Sequence, residues 1–549
     1  MPYAISHLVN PLFTTHMNYP EGVNLAWDTS SPLLGLLGWP VGAAFGEVIA
    51  YNTLLTVGLA GSAWTVYLIL ARWTRHRGAA IFGGLCFLIS PYVSGEALEH
   101  VFLVVVPLVP LTVLWFENAL VRGQWSSRRC GLLLGGLLSA EFFISEEVAA
   151  SMALMLLVGA VWVAILNREI VMSRACRVLG MCKWAAIVTL PLIAGPVAWQ
   201  YLGPGVIHGP VLSPTELSGR LLGYVIPGVM QLVGPVDSYK MIAGPGYNAV
   251  DFGTYLGIPL LASVGIGTAL CWRVPKIRLL ALMLATTAVL VLGPELHVGG
   301  GATGLPLPDV VLKLVPGYQD LLPVRLSLYL DLFAVLLIGL VIDRALDTRW
   351  RLWGVVVGVL VIGSWLPYAP FPTTRDAVPP YFSGVGRSGE EVLFVVPFAT
   401  SVNEDAAMEW QAVAGMHFSM VDGYYTRTSE SSGQFNHGPP MNVLTWDLWT
   451  LEHGGRGPDK AIYQTFGFTP IARIRGGTGD GNVRATPIVD GALRKFVRGY
   501  FAAHGVTSVV LGPSSGERSL SKFLTRLFGP PDQRGAGVQV WRRPGGGWL

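Results

Sequence analysis

The chain has 549 residues, 52% of them hydrophobic and only 13% charged, with a mean hydropathy of +0.51. A soluble domain carries about 25% charge, so a wholly water-soluble protein is excluded and a polytopic membrane protein is expected. The net charge of +3 implies no nucleic-acid partner, because the basic residues are placed as topology signals.

Residues 1–47 contain no Lys or Arg and read as an extracytoplasmic loop. Within it Ser31–Phe45 is apolar but short and broken by Pro40, which predicts an interfacial or re-entrant helix rather than a span. About ten apolar runs follow, from Val48–Ala71 to Leu352–Leu366, and define a transmembrane domain over residues 48–367. Between them the basic residues alternate. One set of loops holds Arg72, Arg75 and Arg77; Arg122, Arg128 and Arg129; Arg168, Arg174, Arg177 and Lys183; Arg273, Lys276 and Arg278; and Arg344, Arg349 and Arg351. The opposite loops hold only Arg220, Lys240, Lys313 and Arg325. By the positive-inside rule the first set is cytoplasmic. Cys130, Cys176, Cys182 and Cys271 fall on that same side and Cys86 lies within a span, so no exported disulfide is expected. An outside start without a signal peptide leads to the expectation of a further helix upstream of Met1.

A proline-rich linker, 368–380, separates the spans from residues 381–549, which read as an extracytoplasmic α/β domain. There "EVLFVVPF", "TSVVLGP" and "GVQVWRRP" read as strands and "LRKFVRGYFAAHGV" as an amphipathic helix. "IRGGTGDGN" follows no strand-to-helix pattern, so it is not read as a phosphate loop. "WDLWTLEH" and "SSGQFNHGPPMN" read either as a carbohydrate-binding surface or as ordinary packing.

Carboxylates collect at the outer helix ends: Glu21, Asp28, Glu96, Glu99, Glu146, Glu147, Glu216, Asp237, Asp251, Glu295, Asp309 and Asp320, with His100 and His297 among them. "EFFISEEVAAS", Glu141–Ser151, places Glu146 and Glu147 in an outer turn. They read either as a solvated turn or as carboxylates facing a wet cavity, where they could hold a divalent cation such as Mg or Mn. Neighbouring helical residues point about 100° apart, so only one of the two faces such a cavity well. In "SGEALEH", Glu96, Glu99 and His100 could share a helical face and orient a phosphate or ligate a metal; a helix cap is the alternative.

"NPLFTTHMNYPEGVNLAWDTSSPLLG", Asn10–Gly35, resembles the first exported loop of bacterial, especially actinobacterial, multi-spanning GT-C glycosyltransferases. "FFISEEV", "FGTYLGIPLL", "LLPVRLSLYLDLF", "VLFVVPF" and "GMHFSMVDGYYTR" extend the resemblance over most of the chain. It implies a GT-C-like membrane bundle that transfers a sugar from a polyprenyl-phosphate donor to a glycan, lipid or protein acceptor on the extracytoplasmic side. A lipid-linked donor stays in the bilayer, so the site belongs at the outer interface. The chemistry needs a carboxylate base and cations on the leaving phosphate. Arg325 suits the phosphate, with a helix-end anchor as the alternative, and Glu99 and His100 are further substrate-binding candidates. In similar proteins the catalytic Asp precedes the N-P-x-F stretch, yet "MPYAISHLV" holds no acidic residue. Asp28, Glu146 and Glu147 are therefore the catalytic candidates, the glutamates doubling as metal ligands. A transporter or flippase of lipid-linked precursors, and a non-catalytic scaffold derived from the enzyme, are the rival readings.

Overall fold

The computed structural model describes the chain except residues 29, 124, 208–216, 235–252, 300, 316, 374–377, 385–390, 399–405, 429–434, 438–441, 454–486, 544–546 and 549. Glu216, Asp237, Lys240, Asp251, the glycine-rich stretch and most of "SSGQFNHGPPMN" lie outside the described residues.

The bundle is organised around one helix, Ser327–Leu346, in which sixteen residues, Asp331 and Asp343 included, are buried. A helix that is apolar on every side must sit at the centre. Helices Arg77–Leu88, Ile258–Cys271, Pro275–Val291 and Arg351–Trp365 pack around it. Its two acids cap other elements. Asp331 Oδ2 accepts the Tyr92 N–H at 3.2 Å, while Asp343 Oδ1 accepts the Arg75 and His76 N–H groups at 2.9 Å each.

Among the described residues six helices are long and apolar enough to cross a membrane: Glu47–Trp73, Arg77–Glu96, Val101–Arg122, Glu146–Leu166, Arg174–Leu202 and Pro323–Leu346. The sequence suggests about ten, and the difference lies in helix length. Ile258–Cys271 and Arg351–Trp365 are apolar but shorter, and Pro275–Val291 has 17 residues. Ser127–Phe142, with 16 residues, rises about 24 Å, less than the ~30 Å hydrocarbon core. It is paired instead with the long helix Arg168–Leu202. Gly131 and Gly135 form the seam: a Cβ on Gly131 would come within 2.4 Å of the Met181 carbonyl oxygen, and one on Gly135 within 2.8 Å of that of Ala185. Small residues four apart let two backbones meet in this way.

The basic loops meet at one end of the bundle. Arg75 bridges Asp347 at 3.1 Å, Lys276 bridges Glu117 at 3.1 Å, Arg174 donates to the Leu120 carbonyl, and Arg128 lies over the Trp184 ring. At the opposite end sits a five-stranded sheet. Glu391–Val396 runs parallel to both Phe418–Met420 and Ser508–Leu511, and the antiparallel strands Val538–Arg542 and Gln533–Gly535 complete it. Helices Gly491–Ala503 and Glu517–Phe528 bury Val497, Phe501, Leu520 and Leu524 in the same core as Phe394 and Val509. The first loop extends the sheet beside Phe418–Met420: the Met420 N–H donates to the His16 carbonyl at 2.8 Å and the Tyr19 N–H to the Met420 carbonyl at 3.0 Å.

The glycine seam is testable. Gly135→Leu should destabilise the bundle by roughly 1–3 kcal/mol through overpacking, read as earlier unfolding in a denaturing-detergent titration. Gly136→Leu, at a position with open space around it, should unfold with the parent.

Candidate functional site

The site is built where three helix ends and the first loop converge, at the end of the bundle away from the basic loops. Ser145 starts helix Glu146–Leu166 by accepting the Val148 N–H at 3.3 Å. That cap puts Glu146 and Glu147 in the first turn, where the helix dipole favours negative charge. The two then diverge. Glu147 turns toward the turn Pro323–Leu326 that leads into the central helix: its Oε1 accepts the Leu322 N–H at 3.0 Å and its Oε2 pairs with Arg325 Nη1. Both side chains are mostly enclosed, at 17% and 18% exposure. Glu146 faces the other way, its Oε2 accepting from Gln200 Nε2 at 3.3 Å.

Gln200 ties this end to the first loop. Its amide also donates to the Ala26 carbonyl at 3.0 Å, and Trp27 Nε1 returns a bond to the Gln200 carbonyl at 2.9 Å. The Trp27 ring stands edge-on to Tyr201 at 5.3 Å. Residues 24–27 therefore form a cover over the start of helix Glu146–Leu166.

Lys313 is the second cation of the site. Its Nζ donates to the Leu321 and Tyr318 carbonyls and lies 3.7 Å from Asp309 Oδ2. Burial pulls its pKa down, while Asp309, Glu147 and Asp320 act in the opposite direction. Burial likewise raises the Asp309 carboxyl against the lowering influence of Lys313. Lys313, Asp309, Arg325 and Glu147 thus gather around the Leu321–Leu322 peptide, each mostly enclosed.

Asp28 sits between the bundle and the sheet. Its Oδ1 accepts the Thr426 N–H at 2.6 Å. Its Oδ2 is sealed from solvent without a hydrogen-bond partner among the described residues. Burial pushes its pKa up to about 7, against the lowering effect of the Thr426 bonds.

His100 Nδ1 and Glu96 Oε2 share a hydrogen bond at 2.7 Å, with Glu96 2% exposed. The helix ends at Glu96, so Glu99 falls in the following turn rather than on a shared helical face. Among the described residues no group of three or more His, Cys, Asp or Glu could hold a metal ion. Glu147 already serves Leu322 and Arg325, and Glu146 serves Gln200. Among the described residues the Glu146–Glu147 doublet is not joined by the further His, Cys, Asp or Glu needed for a group of three.

Sequence reasoning did not single out Lys313, Gln200 or Glu141. The scarcity of cations in the outer loops was a usable signal for Lys313. No local pattern marks Gln200. Glu141, fully buried and with neither oxygen hydrogen-bonded among the described residues, was hidden beside the Glu146–Glu147 doublet.

Two outcomes follow from this geometry. Arg325→Met leaves Glu147 enclosed without its cation and should cost about 3–5 kcal/mol, whereas Glu147→Gln with Arg325→Met should recover most of that loss; detergent-unfolding midpoints of the four proteins form the cycle. For Asp28, a raised acid pKa means that the native state holds more protons than the unfolded chain between about pH 4 and 7. Stability contributed by the neutral carboxyl is complete at low pH and lost as pH rises through that window. The melting temperature of the parent should fall from pH 5 to pH 8, and Asp28→Asn should remove that part of the slope.

No family model and no curated protein matches the chain. Among solved structures it is similar to the arabinofuranosyltransferase AftD from Mycobacteria, with a TM-score of 0.49 and 15% identity. The similarity covers 99% of this chain but only 37% of that one.

Proposed function

We propose that the chain is an integral membrane glycosyltransferase, moving a sugar from a polyprenyl-phosphate donor to a hydroxyl of an envelope glycan, lipid or protein acceptor at the extracytoplasmic face. The observation that carries the reading is the meeting of Arg325, Glu147 and Lys313 at the Leu321–Leu322 peptide, whose N–H Glu147 accepts and whose carbonyl Lys313 binds, at the end of the bundle away from the basic loops. Enclosing cations at membrane depth is costly. Two of them beside a covered, carboxylate-rich space suit an anionic substrate group whose charge grows during reaction.

In the proposed reaction the acceptor oxygen attacks the anomeric carbon of the donor sugar. A carbon–oxygen bond forms, the bond from that carbon to the phosphate oxygen breaks, and the phosphate leaves with the electron pair. Arg325, planar and permanently charged, and Lys313 stabilise the leaving phosphate. Glu146 takes the hydroxyl proton: Gln200 holds one of its oxygens and thereby fixes the direction of the other. Asp28 anchors the cover formed by residues 24–27 to Thr426, and Glu96 with His100 offers polar groups to the sugar. No step is routed through a metal ion.

The test uses the full chain in nanodiscs with radiolabelled polyprenyl-phosphate sugars and envelope acceptors. Transfer is expected. Glu146→Gln should lower kcat by at least about 100-fold, Lys313→Gln should raise the donor KM, and Asp28→Asn should keep most of the activity. Flipping of the donor across vesicles without transfer would replace this reading with a transporter.

A further inference from the structure

The bundle contains an apolar recess that reaches from Tyr329, beside the site above, to the end that carries the basic loops. An apolar cavity of about 160 Å³ lies between helices Leu108–Phe116, Glu146–Leu166, Pro275–Val291 and Ser327–Leu346. Its walls include Val113, Phe116, Met155, Leu280 and Phe333. Met152 and Leu166, on one helix, both line it. Fourteen residues of helix rise about 21 Å, more than half of the ~30 Å hydrocarbon core.

The chemistry changes abruptly at one end. There Trp73, Glu117, Asn167, Lys276 and Arg278 line the recess, at the end that carries the basic loops. Glu117, 5% exposed, is contacted by Arg122 at 2.7 Å, Lys276 at 3.1 Å and Arg72 at 4.0 Å. One carboxylate thus faces three cations, and Arg278 adds a fourth. The Arg278 Nε is shielded from solvent and has no hydrogen-bond partner among the described residues. Lys276 and Arg278 also stand in the first turn of a helix that has no acidic residue in that turn and no side-chain cap. Cations at a helix N-terminus oppose its dipole, an arrangement that an anion would relieve.

From these features we infer a binding site for one anionic phospholipid of the cytoplasmic leaflet. An acyl chain fills the apolar recess, and the phosphodiester headgroup meets Arg278, Lys276 and the amides that open helix Pro275–Val291. A basic pocket between spans at the cytoplasmic side is the form such sites take. The length and apolar lining of the recess fit a hydrocarbon tail, and the surplus positive charge at its mouth selects an anionic head over a zwitterionic one.

The experiment is native mass spectrometry of the full chain, delipidated in detergent and titrated with phosphatidylglycerol or phosphatidylcholine of identical acyl chains. The parent should retain one phosphatidylglycerol in preference to phosphatidylcholine. Lys276→Gln with Arg278→Gln should weaken phosphatidylglycerol about tenfold and leave phosphatidylcholine unchanged. Val113→Trp, which fills the recess, should weaken both. Arg349→Gln, an exposed cation at the same end, should change neither. Equal retention of the two lipids by the parent, an intact preference in the double variant, or an equal loss in Arg349→Gln would each overturn the assignment. None of these readouts depends on catalysis.

Discussion

A carboxylate and a guanidinium enclosed at the end of an apolar bundle constrain everything around them. Desolvating an ion costs several kcal/mol, and the pair recovers that only with good geometry and further hydrogen bonds. Glu147 and Arg325 meet those terms: a helix cap orients the glutamate, and the Leu322 N–H satisfies its second oxygen. The pair pins helix Glu146–Leu166 to the turn from which the central helix starts. The same seam continues through Tyr329, whose hydroxyl lies 3.0 Å from Ser151 Oγ, and Tyr318, which donates to the Ala150 carbonyl at 3.1 Å. Polar contacts that could have been a liability in hydrocarbon are gathered along one interface.

The first loop is the second organising element. It touches the bundle through Asn24, Trp27 and the Leu12 carbonyl, which accepts from Trp199 Nε1, and it touches the sheet through His16, Asn18 and Tyr19. Asp28 lies at that junction with an oxygen shut away from water. The arrangement couples the cover over Glu146 to the strand-containing part of the chain. A protonation change at Asp28 therefore acts on the contact between the two parts as well as on local stability.

The two ends of the bundle solve opposite electrostatic problems. At the end with the basic loops, one buried carboxylate, Glu117, gathers three cations and leaves positive charge in surplus. At the other end carboxylates are abundant and cations few: Arg325 pairs with Glu147, and Lys313 is shared among Asp309 and the Tyr318 and Leu321 carbonyls. A lipid headgroup suits the first environment, and a substrate phosphate arriving between two cations suits the second.

Much of the architecture was legible because membrane burial writes itself into composition. Long apolar runs, the alternation of basic loops, and the strand pattern of "EVLFVVPF" each follow from the cost of exposing or burying one group at a time. The shortness of Ser127–Phe142 was visible, but not its pairing through Gly131 and Gly135, because close backbone approach depends on the partner helix. The Glu146–Glu147 doublet was conspicuous, yet a sequence cannot say that one turns to Gln200 and the other to Arg325, 54 and 178 residues away. Lys313, Gln200 and the sealed oxygen of Asp28 gain their chemistry only from neighbours distant in the chain. By itself the sequence determined which segments avoid water and on which side the positive charges lie. Tertiary packing alone decided which ions share a low-dielectric space, and that sharing creates the candidate site.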